Sequence, residues 1–161
     1  MPHLGAAYNL ARWLTRSEHD ADDVVQDAYL RAFRGFSGYR GGDARTWLLR
    51  IVRNTSYTWL RQRRGETVSE GADELAELPD DDAVDPEAQL IGQADAARVR
   101  TALDTLPVEL REAVVLRELE GLSYKEIAEV ADVPLGTVMS RLSRGRKHLE
   151  RDLREPAGGR E

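Results

Sequence analysis

The sequence predicts an all-α fold made of two small helical domains, residues 1–64 and 98–154, joined by an acidic linker at 65–97 and followed by a tail at 155–161. Three observations point to it. Apolar residues on both sides of the linker recur at three- and four-residue steps, the period of an amphipathic helix. No stretch of useful length alternates as a strand does. Charge is also partitioned: 1–64 carries 11 Lys+Arg against 6 Asp+Glu, 65–97 carries 11 acids and no base, and 98–161 carries 12 of each. The formal net charge of −6 is therefore set by one segment.

The elements follow in order. Leu4, Ala7, Tyr8, Ala11 and Leu14 share one face of a helix over 4–16. Asp20 is placed to cap the next helix, with Asp22 and Asp23 in its first turn. That helix carries Val24, Val25, Ala28, Tyr29, Ala32 and Phe33 to a stop at Gly35. The run from Gly35 to Gly42 is rich in turn residues, and Asp43 is placed to cap a long helix over 44–64. The stretch 65–97, with Gly65, Gly71, Pro79, Pro86 and its like charges, reads as an extended or disordered linker. Composition leaves open whether it is a plain spacer or has a role of its own. Helices are predicted over 92–105 and, after Leu106-Pro107, over 108–120 to Gly121. A short helix capped by Ser123 spans 124–131, and a last helix spans 135–153 beyond Asp132-Val133-Pro134.

Composition narrows the function classes. Hydrophobic residues at 41% suffice for a core, and there is no cysteine, so neither disulfides nor thiolate metal sites arise. His3, His19 and His148 are scattered, so no metal or cofactor is expected. No apolar run approaches the ~18–20 residues needed to cross a bilayer, and no basic leader precedes an apolar run at the N-terminus. A soluble cytoplasmic protein without membrane insertion is expected. No nucleophile–base pairing or phosphate loop supports an enzyme.

The C-terminal run SYKEIAEVADVPLGTVMSRLSRGRKHLE has the layout of a helix-turn-helix. Ile127, Ala128 and Ala131 are read as buried in its first helix, Val138 and Leu142 in its second, with Ala128 the small residue at the crossing. Thr137, Ser140, Arg141, Arg144 and Lys147 fall on the opposite face, where a recognition helix meets base edges and phosphates. The alternative is a solvated basic helix, which the coincidence of cap, turn and polar stripe disfavours. In helix 44–64, Trp47, Leu48, Ile51, Val52, Thr55 and Trp59 fall on one side; Arg50, Arg53, Asn54, Tyr57, Arg61 and Arg64 fall on the other. The second set joins cations for phosphate to groups that bond or stack on an unpaired base. Tyr39 and Arg40 are brought to its end, near Trp47, which is divided between core and site.

Two segments, residues 20–54 (DADDVVQDAYLRAFRGFSGYRGGDARTWLLRIVRN) and 106–149 (LPVELREAVVLRELEGLSYKEIAEVADVPLGTVMSRLSRGRKHL), resemble regions two and four of extracytoplasmic-function sigma factors of the sigma-70 family. The resemblance implies a promoter-specificity subunit of bacterial RNA polymerase rather than an enzyme. It implies that Asp23, Val24, Val25, Gln26, Asp27 and Leu30 grip the β′ coiled coil. Tyr39 and Asn54, with Trp47 nearby, would hold a flipped base of the melted −10 element. Arg40, Arg50, Arg53, Tyr57 and Arg61 would follow the strand. Thr137, Ser140, Arg141, Arg144 and Lys147 would read −35 duplex, with Arg117, Ser123 and Tyr124 on flanking phosphates. Further implied partners are the β-flap, promoter DNA and an anti-sigma factor, and the acidic linker would lie in a channel otherwise used by nucleic acid. About thirty linker residues reach ~100 Å, more than the roughly 70 Å between elements two helical turns apart. Two departures stand out: the chain starts almost inside the first region-two helix, which suggests a truncated or minimal domain, and Gly145 replaces a usual Ala at about 1 kcal/mol of helix propensity. A stand-alone helix-turn-helix regulator, dimeric on palindromic sites, is the second reading; the region-two match argues against it.

Overall fold

The computed structural model describes residues 3–36, 39, 41–64 and 96–154. Arg40, nearly all of the acidic linker and the tail lie outside the described residues. Among the described residues the chain is helical, without strands: α1 (Leu4–Thr15), α2 (Glu18–Arg34), α3 (Ala44–Arg64), α4 (Ala96–Thr105), α5 (Val108–Val114), a π turn (Val115–Leu119), α6 (Tyr124–Ala131) and α7 (Leu135–Arg154).

Helices α1, α2 and α3 pack pairwise into a three-helix bundle. Its interior is Ala7, Leu10, Ala11 and Leu14 from α1, Ala21, Val24, Val25, Ala28 and Ala32 from α2, and Leu48, Leu49 and Val52 from α3. The small α2 residues let the helices approach closely. Leu4 and Phe33, read from the sequence as inward-facing, are exposed, because each lies at the edge of its stripe beyond the reach of a third helix. The cap of α2 is Ser17, whose hydroxyl accepts from the Asp20 amide at 3.1 Å, one turn earlier than the predicted Asp20 cap. Asp43 starts α3 as expected: it accepts from the Arg45 amide and, at 2.7 Å, from the Thr46 hydroxyl. The Thr46 hydrogen bond holds its carboxyl below the usual carboxylate range.

In the second unit α7 is the spine, packed on α4, α5 and α6. The predicted helix 108–120 runs on from α5 without interruption but ends in the π turn, after which the Glu120 amide donates to Val115 O and the Leu122 amide to Leu116 O. Gly121, at φ +71°, then turns the chain into α6, a conformation glycine adopts without steric cost. Ser123 and Glu126 form a reciprocal capping box, as the sequence pattern implies. Asp132 ends α6 in the left-handed region, which Asp tolerates better than most residues.

A second small residue, Gly145, stands where α7 crosses α5, while Ala128 of α6 is half-buried. A Cβ at Gly145 would stand 2.8 Å from Val114 Cγ2 and 3.6 Å from Leu110 O. The helix-propensity cost of this glycine is therefore tied to the seating of α7 on α5. Gly145→Ala is expected to destabilise the fold by about 1 kcal/mol, overpacking outweighing the gain in propensity. In a Val114→Ala background the same change is expected to stabilise by about 1 kcal/mol, since the clash is gone. Urea unfolding of the four proteins measures this; equal effects in both backgrounds contradict it.

Candidate nucleic-acid interface

Three surfaces carry the residues singled out by sequence. On α7 the stripe Thr137, Ser140, Arg141, Arg144 and Lys147 is half-exposed, opposite the buried Val138, Leu142, Gly145, Leu149 and Leu153. The helix rises ~1.5 Å per residue, so the stripe spans about 15 Å. Arg141 also borders a narrow crevice with Glu109, Glu112, Ile127 and Val133. Arg144 and Lys147 make further interactions within the fold. Arg117 lies over the Tyr124 ring at 4.8 Å and donates to Leu122 O at 2.9 Å, so it braces the approach to α6. Ser123 is exposed and occupied as the cap.

On α3 the basic face splits. Arg50, Asn54 and Arg61 are exposed, whereas Arg53 and Tyr57 turn toward the second unit. There the Arg53 Nε and the Tyr57 hydroxyl each donate to Glu112 of α5, both at 2.8 Å. The Arg53 guanidinium also sits 3.9 Å from the Tyr57 ring centroid. Burial lowers the basicity of Arg53, but the Glu112 charge and Tyr57 more than offset it, leaving it raised; burial and Glu112 also lift the Tyr57 phenol well above 10. Two of the side chains predicted to follow a strand, Arg53 and Tyr57, are thus bonded to α5 in this arrangement. Arg50 meets Asp132 more loosely, at 3.4 Å between exposed groups.

At the start of α3, Tyr39, Trp47 and Phe36 form an aromatic cluster, with the Tyr39 and Trp47 rings 4.9 Å apart. The Tyr39 hydroxyl donates to Gly42 O at 2.5 Å. Tyr39, Trp47, Thr46, Arg50 and, from α6, Glu129 line an open cleft of about 370 Å³. Trp47 serves both readings left open by the sequence, since it packs on the core with one side and lines the cleft with another.

On α2 the exposed side chains include Gln26, Leu30 and Phe33, the last two 54% and 82% exposed, flanked by half-exposed Asp23 and Asp27. Val24 and Val25 belong to the core, at 0% and 7% exposure, so they support this surface from beneath rather than form it. Among the described residues no helix is long and apolar enough to cross a membrane, and no group of His, Cys, Asp and Glu is arranged to hold a metal.

Two family models match the chain, sigma-70 region 2 over residues 1–66 and sigma-70 region 4 over 96–149. The Haemophilus influenzae ECF RNA polymerase sigma-E factor is 38% identical over 155 residues, covering 89% of this chain and 81% of that protein. The chain belongs to the extracytoplasmic-function (ECF) sigma factors of the sigma-70 family. These are RNA polymerase sigma factors, acting in promoter recognition and transcription initiation. Escherichia coli sigma-E is 38% identical to this sigma factor over 138 residues, 81% of this chain and 72% of that protein. SigE of Mycolicibacterium smegmatis is 40% identical over 151 residues, 91% of this chain; the chain spans 57% of that protein's length. Among solved structures, the Bartonella quintana sigma factor RpoE in complex with the anti-sigma factor NepR superposes with a TM-score of 0.71 at 30% identity, covering 94% of this chain and 91% of that one. CnrH in complex with the cytosolic domain of CnrY gives 0.64 at 28% identity, covering 93% and 81%.

Sequence reasoning missed the acids of the second unit that face α3. Glu112 and Glu129 sit in helices and Asp132 at a helix end, places where a charged residue is ordinarily read as solvated. One signal was legible: Arg111 and Glu112 stand between Leu110 and Ala113, so a helix this apolar had to enclose at least one of them. The sigma factor encloses both.

Proposed function

We propose that this sigma factor binds the polymerase core through the α2 surface of Asp23, Gln26, Asp27, Leu30 and Phe33, reads −35 duplex with the α7 stripe, and captures a melted −10 base in the cleft at the head of α3. The observation that carries the reading is that cleft: flat rings of Tyr39 and Trp47 beside the Arg50 cation, with Asn54 exposed one turn further along α3. Aromatic faces hold unstacked bases and cations hold the strand, at about 1–3 kcal/mol per stacked base. The protein acts by binding energy, shifting the closed promoter complex toward the open one, and makes or breaks no covalent bond. It works in the cytoplasm, where polymerase is, and the second unit also meets the β-flap. Because the solved relative RpoE is held by the anti-sigma factor NepR, an anti-sigma protein is the regulator we assign to it.

Asn54→Ala is expected to lower promoter opening about tenfold, the effect of removing one hydrogen bond to a base, while initial promoter binding changes less than about twofold. Permanganate reactivity of melted thymines reads opening, and a filter-binding titration reads the closed complex. Normal melting in the variant contradicts the role.

A further inference from the structure

Arg111 and Glu112 are consecutive, oppositely charged and almost wholly buried, at 4% and 0% exposure. Most of their bonds cross between the two halves of the chain. Arg111 donates to Trp13 O at 2.7 Å and Leu14 O at 3.3 Å, at the carbonyl end of α1, and to Leu106 O at 2.7 Å within its own half. Burial and the neighbouring Arg16 charge push its guanidinium down to about 10, so it remains a cation at neutral pH. The carbonyl end of a helix carries partial negative charge, so this cation is well placed. Glu112 takes both its hydrogen bonds from α3, from Arg53 and Tyr57. Around the pair, Arg16 donates to Asp104 O, Arg45 to Glu120 O, and Arg50 meets Asp132.

We propose that Arg111-Glu112 is a clasp that closes the second unit onto α3, and that closure and capture of a nucleic-acid strand compete for the same α3 side chains. The inference rests on the reading of α3 as the strand-binding face. Buried ion pairs add little net stability, because desolvation consumes most of the Coulomb gain. An interface holding the buried Arg53–Glu112 pair therefore separates at lower cost than a purely apolar one, with both charges regaining water. Glu112 occupies the place of a phosphate, satisfying one cation and one hydroxyl. Glu129 stands at the edge of the aromatic cleft on the same side. A strand entering along α3 must displace this anionic face, so the closed chain binds a strand weakly until the units part.

The test uses the full chain, which is cysteine-free and so can be labelled cleanly. Dyes on Asp22→Cys of α2 and Arg151→Cys of α7, both exposed, report separation by energy transfer. Glu112→Gln removes the anion while keeping the shape, and Arg111→Gln tests the other half of the clasp independently. Each is expected to lower transfer and to tighten binding of a random single-stranded DNA of about twelve nucleotides. The gain should be about tenfold if the closed form makes up some nine-tenths of the free protein. Unchanged transfer in both variants overturns the clasp. Lower transfer with unchanged DNA affinity overturns the competition, provided Asn54→Ala still weakens binding in the opened protein. If Asn54→Ala and Arg61→Ala have no effect there, the strand-binding reading of α3 is what fails, and transfer alone decides the clasp.

Discussion

Replacing Arg141 and Arg144 together by alanine is expected to weaken binding to −35 duplex about a hundredfold at fixed salt, since each good arginine contact to a base contributes about 1–3 kcal/mol. The two lie three residues apart on the half-exposed stripe of α7, close to Ser140. Helix seating depends on the other face, through Val138, Leu142 and Leu149, so thermal stability should change little. Salt dependence separates the two ways an arginine can act. Removing a cation that neutralises a phosphate lowers the slope of log affinity against log salt by about 0.9. Removing one that bonds a base edge flattens the preference between promoter sequences instead. Polymerase binding should persist, because α2 lies in the other unit. Unchanged duplex affinity at matched salt contradicts the assignment of α7 as the reading helix.

Leu30→Ser with Phe33→Ser is expected to weaken binding to core polymerase at least a hundredfold, since buried interface anchors commonly contribute 2 kcal/mol or more each. Their exposure explains why the effect should appear in binding and not in folding: they make up a large apolar part of the α2 surface and have little to lose in the free protein. Val24 gives the contrasting case. It is enclosed in the bundle, so Val24→Ser would unsettle the fold and could not isolate the contact. Competition against labelled wild-type protein for core polymerase measures the double variant; full competitive strength at normal stability contradicts the surface.

Much of the architecture was legible because helix periodicity, caps and glycine stops are local. Asp43, Ser123 and Gly121 act where the sequence places them, and the helix-turn-helix follows from spacing alone. What escaped was tertiary. Phe33 has helical spacing with Val25 and Tyr29, yet no neighbouring helix reaches it, and periodicity cannot report how wide a groove the other helices leave. The Ser17 cap competed with three downstream acids that also suit a helix start. Gly145 reads as a propensity defect until Val114 is seen packed against it. Arg53 and Tyr57 show the deepest limit. Arg53 was read as a cation for phosphate and Tyr57 as a group that bonds or stacks on a base, but periodicity does not report a carboxylate from another helix, and here both donate to Glu112.

As a sigma factor, this chain confers promoter choice on polymerase. Purified protein, core polymerase and fragmented genomic DNA can be combined in a transcription reaction and the 5′ ends of the transcripts sequenced. Discrete start sites absent with core alone are expected, preceded by two shared elements about two helical turns apart, and lost with the Leu30/Phe33 variant. Start sites indistinguishable from those of core polymerase alone would contradict it.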